Sequence, residues 1–318
     1  MTEALVQGLI NGDRQALARC ITLAESTKPE DHALFQDILN KTLPSTGKSI
    51  RIGITGAPGV GKSSFIESFG LLLTGLQKKV AVLSIDPSSP LNKGSILGDK
   101  TRMEKLSKDA LAFIRPSPSR SFMGGVTHAT RESILLCEAA GYEIILVETV
   151  GVGQSEVAVK DMTDCFLLLM LAGSGDELQG IKKGIMEMAD MVAITKADGD
   201  NLKRAQLAAS EFQHALHLIK SDDSGWAPKV ITTSALEQKG LNECWILIES
   251  FIEQSKSSGR FINERKKQKA HWLNEQLNFQ LRRQMVNSMA FGEKWEETVK
   301  LVEENKWTVF EGIKFLMA

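Results

Sequence analysis

Between Ser49 and about Leu236 the chain alternates short apolar runs with stretches of helical periodicity. Seven runs read as strands: IRIGIT, KVAVLSID, LAFIRP, EIILVETVG, CFLLLMLAG, DMVAITKAD and KVITTSA. Several are apolar at consecutive positions rather than at every second one. A strand of that kind needs cover on both faces, as in a parallel sheet held between two helix layers. Regular strand–helix alternation therefore predicts an α/β fold with a doubly wound, mostly parallel sheet.

The flanks have a different character. In GDRQALARCITLAES, the residues Ala16, Leu17, Ile21 and Ala24 share one side at helical spacing. Residues up to about 45 read as helical, and LPSTGKS then breaks the pattern with Pro and Gly. Beyond Gly259 a proline-free segment carries Leu273, Leu277, Leu281, Met285 and Met289 in steps of four, which predicts a long amphipathic helix. Two Trp-bearing helical pieces, EKWEETVKLVEEN and WTVFEGIKFLM, follow it. The expected partition is an N-terminal helical extension (1–48), a central α/β domain (49–258) and a C-terminal helical region (259–318). The leucine–methionine stripe is too apolar for solvent, so a homodimer built from the C-terminal region is expected.

Composition narrows the function classes. The 318 residues are 42% hydrophobic and 24% charged, enough apolar surface for a full core. A formal net charge of −1 gives no global field to attract nucleic acid or an anionic membrane, so neither is an expected partner. The basic run ERKKQK reads as a solvated helix face. Cys20, Cys137, Cys165 and Cys244 form no C-x-x-C pair, which argues against a disulfide framework or a structural zinc. No apolar run is long enough to span a bilayer. The first residues show no basic-then-apolar leader, so a cytoplasmic location is expected.

The chemistry begins at Gly56-Ala57-Pro58-Gly59-Val60-Gly61-Lys62-Ser63, followed by Ser64, which matches G-x-x-x-x-G-K-[ST]. Glycines let the backbone curl until successive N–H groups face a β-phosphate, and the following helix adds its positive end. Lys62 would reach the β- and γ-phosphates, and the Ser63 hydroxyl would ligate Mg²⁺.

Thr195-Lys196-Ala197-Asp198 ends another strand candidate. A carboxylate at Asp198 would accept from N1–H and the 2-amino group of guanine. Adenine offers neither donor and would leave the charge unpaired. Lys196 would lay its alkyl stem along the base. Ser234, Ala235 and Leu236 end the next strand candidate, where a backbone N–H would meet guanine O6. The expected ligands are therefore GTP and GDP.

Three acidic positions complete the expected catalytic set. Glu148, in Glu148-Thr-Val-Gly151, would hold magnesium through a water, and the Gly151 N–H would sense the γ-phosphate. Gln154 lies three residues beyond Gly151, a poor place for a water-positioning residue. Asp86 falls at the carboxyl end of the second strand, where open α/β sheets bind ligands. Asp99 sits in a Gly-bearing segment suited to a switch. Both are expected at the metal and γ-phosphate. A further charged loop, LAGSGDELQGIKKGI, carries Asp176, Glu177, Gln179, Lys182 and Lys183. Asp176 and Gln179 also fit the start of a capped helix.

GAPGVGKS, IDPSSP, GSILGDKTRM, IRPSPSR, ETVGVGQSE, GDELQGIKKGI and TKADGD together resemble the MeaB/ArgK family of P-loop GTPases across most of the chain. The resemblance implies a GTPase chaperone for methylmalonyl-CoA mutase or a related B12-dependent acyl-CoA mutase. Such a protein gates adenosylcobalamin loading and protects or reactivates the mutase. It also implies that the GDELQ segment is a third switch loop signalling to the mutase, and that the C-terminal helices form a homodimer. Two positions depart from the family pattern: Ser121 stands where Gly is expected after Arg120, and His128 where Arg is expected.

Two rivals use a similar sheet. A metal-delivery GTPase of the hydrogenase or urease maturation type needs a ligand cluster, and His32, His128, His214, His217 and His271 are too dispersed to form one. An ArgK-like transport-associated kinase would need no guanine preference, against which Asp198 speaks.

Overall fold

The computed structural model describes residues 2–26, 28–85, 103–116, 126–149, 155–173, 183–219, 225–286 and 289–317. All seven predicted strands form: β1 (Ile50–Gly56), β2 (Val80–Ile85), β3 (Ala112–Arg115), β4 (Ile144–Thr149), β5 (Cys165–Leu171), β6 (Met191–Thr195) and β7 (Lys229–Thr232). They make one sheet in the order β3-β2-β4-β1-β5-β6-β7, and every pairing is parallel. β1 lies at the centre, where the strand order turns from one wing to the other. In open α/β sheets ligands bind at such a switch point, outside the carboxyl ends of the strands.

Helices cover both faces, which is why consecutive strand residues can all be apolar. One face carries α4 (Lys62–Gly75), α5 (Glu104–Lys108) and α10 (Leu241–Ser257). There Phe65, Phe69, Trp245 and Phe251 pack against Ile52, Ile54, Leu167 and Leu169. The opposite face carries α1 (Thr2–Ile10), α2 (Arg14–Ala24), α3 (Pro29–Thr42), α6 (Val126–Ala139) and α7 (Ser155–Lys160). Further along that face lie α8 (Lys183–Met188) and α9 (Leu202–Ile219). Gly53 of β1 allows α7 to approach, since a Cβ there would come 2.7 Å from Val159. All four cysteines are buried and unpaired.

The LPSTGKS segment does more than connect. Glu138 accepts from the Gly47 N–H at 2.7 Å, from the Ser49 hydroxyl and from Arg51 Nε at 2.9 Å. Arg265 spans both carboxylate oxygens of Asp164 at 2.7 Å and donates to the Gly47 and Ser49 carbonyls. These bonds gather the starts of β1 and β5 at the end of the sheet away from the Gly56 loop.

The chain divides into two compact units, residues 1–265 and 266–318. Among the described residues, three helices follow Gly259: α11 (Arg260–Val286), α12 (Met289–Glu303) and α13 (Val309–Met317). The stripe expected on one helix is not confined to one, because Met289 opens α12. Spacing by four also turns about 40° too far at each step, so such a stripe winds around the axis. Leu273, Leu277 and Leu281 are all exposed. No described helix is long and apolar enough to cross a membrane.

Candidate functional site

The loop from Gly56 to Gly61 joins β1 to α4 and needs its glycines for two different reasons. Gly59 and Gly61 hold φ of 82° and 96°, in the left-handed region where side chains are strained. Gly56 is limited by space as well: a Cβ would come 2.5 Å from the Leu169 carbonyl oxygen of β5. The loop is thus wedged against the neighbouring strand.

Lys62 opens α4, and its ammonium donates to the Gly56 carbonyl at 2.6 Å and the Ala57 carbonyl at 3.3 Å. Burial lowers its pKa from the ordinary lysine value, while Glu148 and Glu156 act in the opposite sense. Ser63 donates to Glu148 Oε1 at 3.5 Å. Glu148 is 3% exposed and lies in register with Ile54 of β1 and Ser84 of β2. The penultimate residue of β4 is therefore delivered directly beneath the loop. Next to it, the Thr149 hydroxyl donates to the Thr55 hydroxyl at 2.9 Å, tying β4 to β1 just before the loop begins.

Residues from β6 approach from the other side. The Thr195 hydroxyl donates to the Val60 carbonyl at 2.7 Å and is shared with Met170 O at 3.1 Å. Lys196 takes a left-handed conformation, φ 54°, and its ammonium reaches the Gly59 carbonyl at 2.9 Å. Asn201 Nδ2 supports that turn by donating to Lys196 O at 2.7 Å. Asp198 accepts from the Ser234 hydroxyl.

β7 ends at Thr232, one residue before the TSAL segment. Ser234 then pairs with Lys239 in an antiparallel bridge that closes the loop. Leu236 stands at its tip, 85% exposed. Gly56–Ser64, Thr195, Lys196, Asp198, Ser234, Ala235, Leu236 and Glu148 are thus gathered around one end of β1. Sequence reading missed Thr55 and Thr149, whose bond joins positions 94 apart, and Asn201, which supports Lys196 from just beyond the base-reading motif.

Asp86, Asp99, Gly151, Gln154, Asp176, Glu177, Gln179 and Lys182 lie outside the described residues, as does Ser121. Lys183 begins α8, twelve residues after the end of β5.

The family model for the methylmalonyl Co-A mutase-associated GTPase MeaB matches residues 17–290. GTPase ArgK of Escherichia coli K12 is 44% identical over 311 residues, covering 98% of this chain and 94% of its own. The mouse mitochondrial methylmalonic aciduria type A homolog is 47% identical over 281 residues, covering 85% of this chain and 68% of its own. Among solved structures, a LAO/AO transport system kinase superposes with a TM-score of 0.79 at 38% identity, covering 99% of this chain and 96% of that one. The chain belongs to the MeaB family, and it is a GTPase.

Proposed function

We propose that this MeaB-family GTPase is a chaperone for methylmalonyl-CoA mutase or a related B12-dependent acyl-CoA mutase. In this reading it gates adenosylcobalamin loading and protects or reactivates the mutase, acting in the cytoplasm. Support comes from the mutase association in the family's description and from the mouse relative's name. The observation that carries the nucleotide half is the convergence of Lys62, Ser63, Glu148, Lys196 and Asp198 at one end of β1.

Each residue then has a defined task. Backbone N–H groups of Gly59 to Ser64 cradle the phosphates, and Lys62 exchanges its loop carbonyls for phosphate oxygens. Asp198 reads the base, held in place by Ser234. The Ser63 hydroxyl and Glu148 carboxylate are hard oxygen donors 3.5 Å apart, a set that suits Mg²⁺. Asp86 and Asp99 complete that set in this reading, and Gly151 senses the γ-phosphate. Bound magnesium would supply charge neutralisation for phosphoryl transfer.

Asp176, Glu177, Gln179, Lys182 and Lys183 are assigned to signalling. Their segment leaves the end of β5, and β5 pairs with β1 up to Gly56, in register with Leu169. A partner that shifts the segment would therefore pull on a strand packed against the phosphate loop. Coupling of this kind is reciprocal in binding free energy. The exposed Leu273, Leu277 and Leu281 support a homodimer, which light scattering at micromolar concentration tests.

The deciding experiment measures GTP turnover with and without a cognate methylmalonyl-CoA mutase. Acceleration by the mutase is expected, with most of it lost in Asp176→Ala or Lys183→Ala while intrinsic turnover stays near wild type. Unchanged wild-type turnover refutes the chaperone reading. The kinase relative motivates a second reading, in which labelled γ-phosphate would move to a protein acceptor rather than to water.

A further inference from the structure

We infer that Ser68 is a positioning residue for guanine recognition, joining the phosphate-binding helix to the loop that meets the base. The inference rests on the proposed reading of Ser234–Leu236 as the segment facing guanine O6. Ser68 lies on α4, the helix that Lys62 opens, and its hydroxyl donates to the Ala235 carbonyl at 3.1 Å. The two residues are 167 positions apart in sequence.

The consequence follows from the planarity of the peptide bond. The Ala235 carbonyl and the Leu236 N–H belong to one rigid trans unit and point in opposite directions. Anchoring the carbonyl on α4 aims the Leu236 N–H away from the helix. The neighbouring donors of the loop are already engaged: Ser234 N–H bonds to Lys239 O, and Glu237 N–H bonds to the Ser234 hydroxyl at 3.0 Å. From Ser234 to Glu237, the N–H groups of Ala235 and Leu236 are the ones left to face a ligand, and they flank the carbonyl that Ser68 holds.

The rest of the loop is pinned without Ser68. Gly240 has φ 73°, and a Cβ there would come 2.1 Å from the Thr232 carbonyl, so the return path is fixed. Ser234 is held by Asp198 and by the Lys239 bridge. What these contacts leave undetermined is the orientation of the Ala235–Leu236 peptide at the tip. Ser68 sets that orientation from a helix whose first turn belongs to the phosphate subsite. Base and phosphate contacts therefore share one rigid element, and the distance between them is preset before ligand arrives.

The test compares GDP with 6-thioguanosine 5′-diphosphate, which keeps the N1–H and 2-amino donors but carries a weakly accepting sulfur in place of O6. Wild-type protein is expected to prefer GDP by about tenfold, the worth of one well-placed hydrogen bond. Ser68→Ala should shrink that preference to within about threefold while leaving affinity for the O6-lacking analogue unchanged. Ser68→Thr, which keeps the hydroxyl, should restore the preference. If Ser68→Ala weakens both nucleotides equally, or keeps the wild-type ratio, the inference is overturned while the loop assignment stands. If wild-type protein binds the two nucleotides equally, the loop does not read O6, and both fall.

Discussion

The hydroxyl of Thr195, the last residue of β6, donates to the carbonyl of Val60 at the crest of the phosphate loop, across 2.7 Å. One buried bond thus registers the base-reading strand against the phosphate-reading loop. Thr195→Val keeps the shape and removes the donor, leaving the Val60 carbonyl to lose a buried partner. The expected cost is about 1–3 kcal/mol of unfolding free energy, with weaker GDP binding. Denaturant melts and a GDP titration check this, and Thr195→Ser should recover most of both.

Asp198→Asn exchanges an acceptor-only carboxylate for an amide that also donates. Loss of two charge-assisted bonds to guanine should weaken GDP by at least about a hundredfold. Xanthosine diphosphate, whose base is oxygenated where guanine carries its amine, should bind better to the variant than to wild type. Competition between the two nucleotides reads the switch directly. Equal affinity of the wild type for ADP and GDP would count against Asp198 as the base reader.

Arg265 and Asp164 form a nearly solvent-free bidentate pair, their side chains 11% and 2% exposed. Arg265→Ala strands the carboxylate and frees the Gly47 and Ser49 carbonyls. A loss of about 3–5 kcal/mol in stability is expected. Arg265→Lys should recover only part, because an ammonium cannot span both oxygens. Chemical denaturation distinguishes the three proteins.

Burial pushes the Glu132 carboxyl of α6 up to about 8 from an ordinary 4.5. The folded state therefore holds this proton more tightly than the unfolded chain does. Its stabilising contribution is complete below about 4.5, declines as pH rises, and is gone above about 8. Glu132→Gln is expected to raise stability at pH 8.5 by on the order of 1–3 kcal/mol and to change little near pH 4. A difference that is the same at both pH values would show that titration is not its cause.

The sequence by itself determined the elements and the local chemistry. Apolar runs of strand length placed all seven strands, because burial on both faces leaves a signature at each residue. The phosphate loop was legible because its glycine conformations and its lysine are fixed by short spacing on one turn. Thr195, Lys196 and Asp198 were legible for the same reason. Where the pattern was read too simply, at the four-residue stripe from Leu273 to Met289, the run of leucines and methionines crosses from α11 into α12.

Only the tertiary structure decided which of these elements meet. Strand order places β1 between β4 and β5, and that order alone puts Glu148 beneath Ser63 and Leu169 against Gly56. Glu138 reads as one more helix residue until Ser49 and Arg51 are found on its carboxylate, 89 and 87 positions away. Ser68 and Ala235 are no different. Such pairings leave no local trace, because each depends on how two helix layers pack on one sheet, and that packing is a sum over the whole core rather than a property of any short segment.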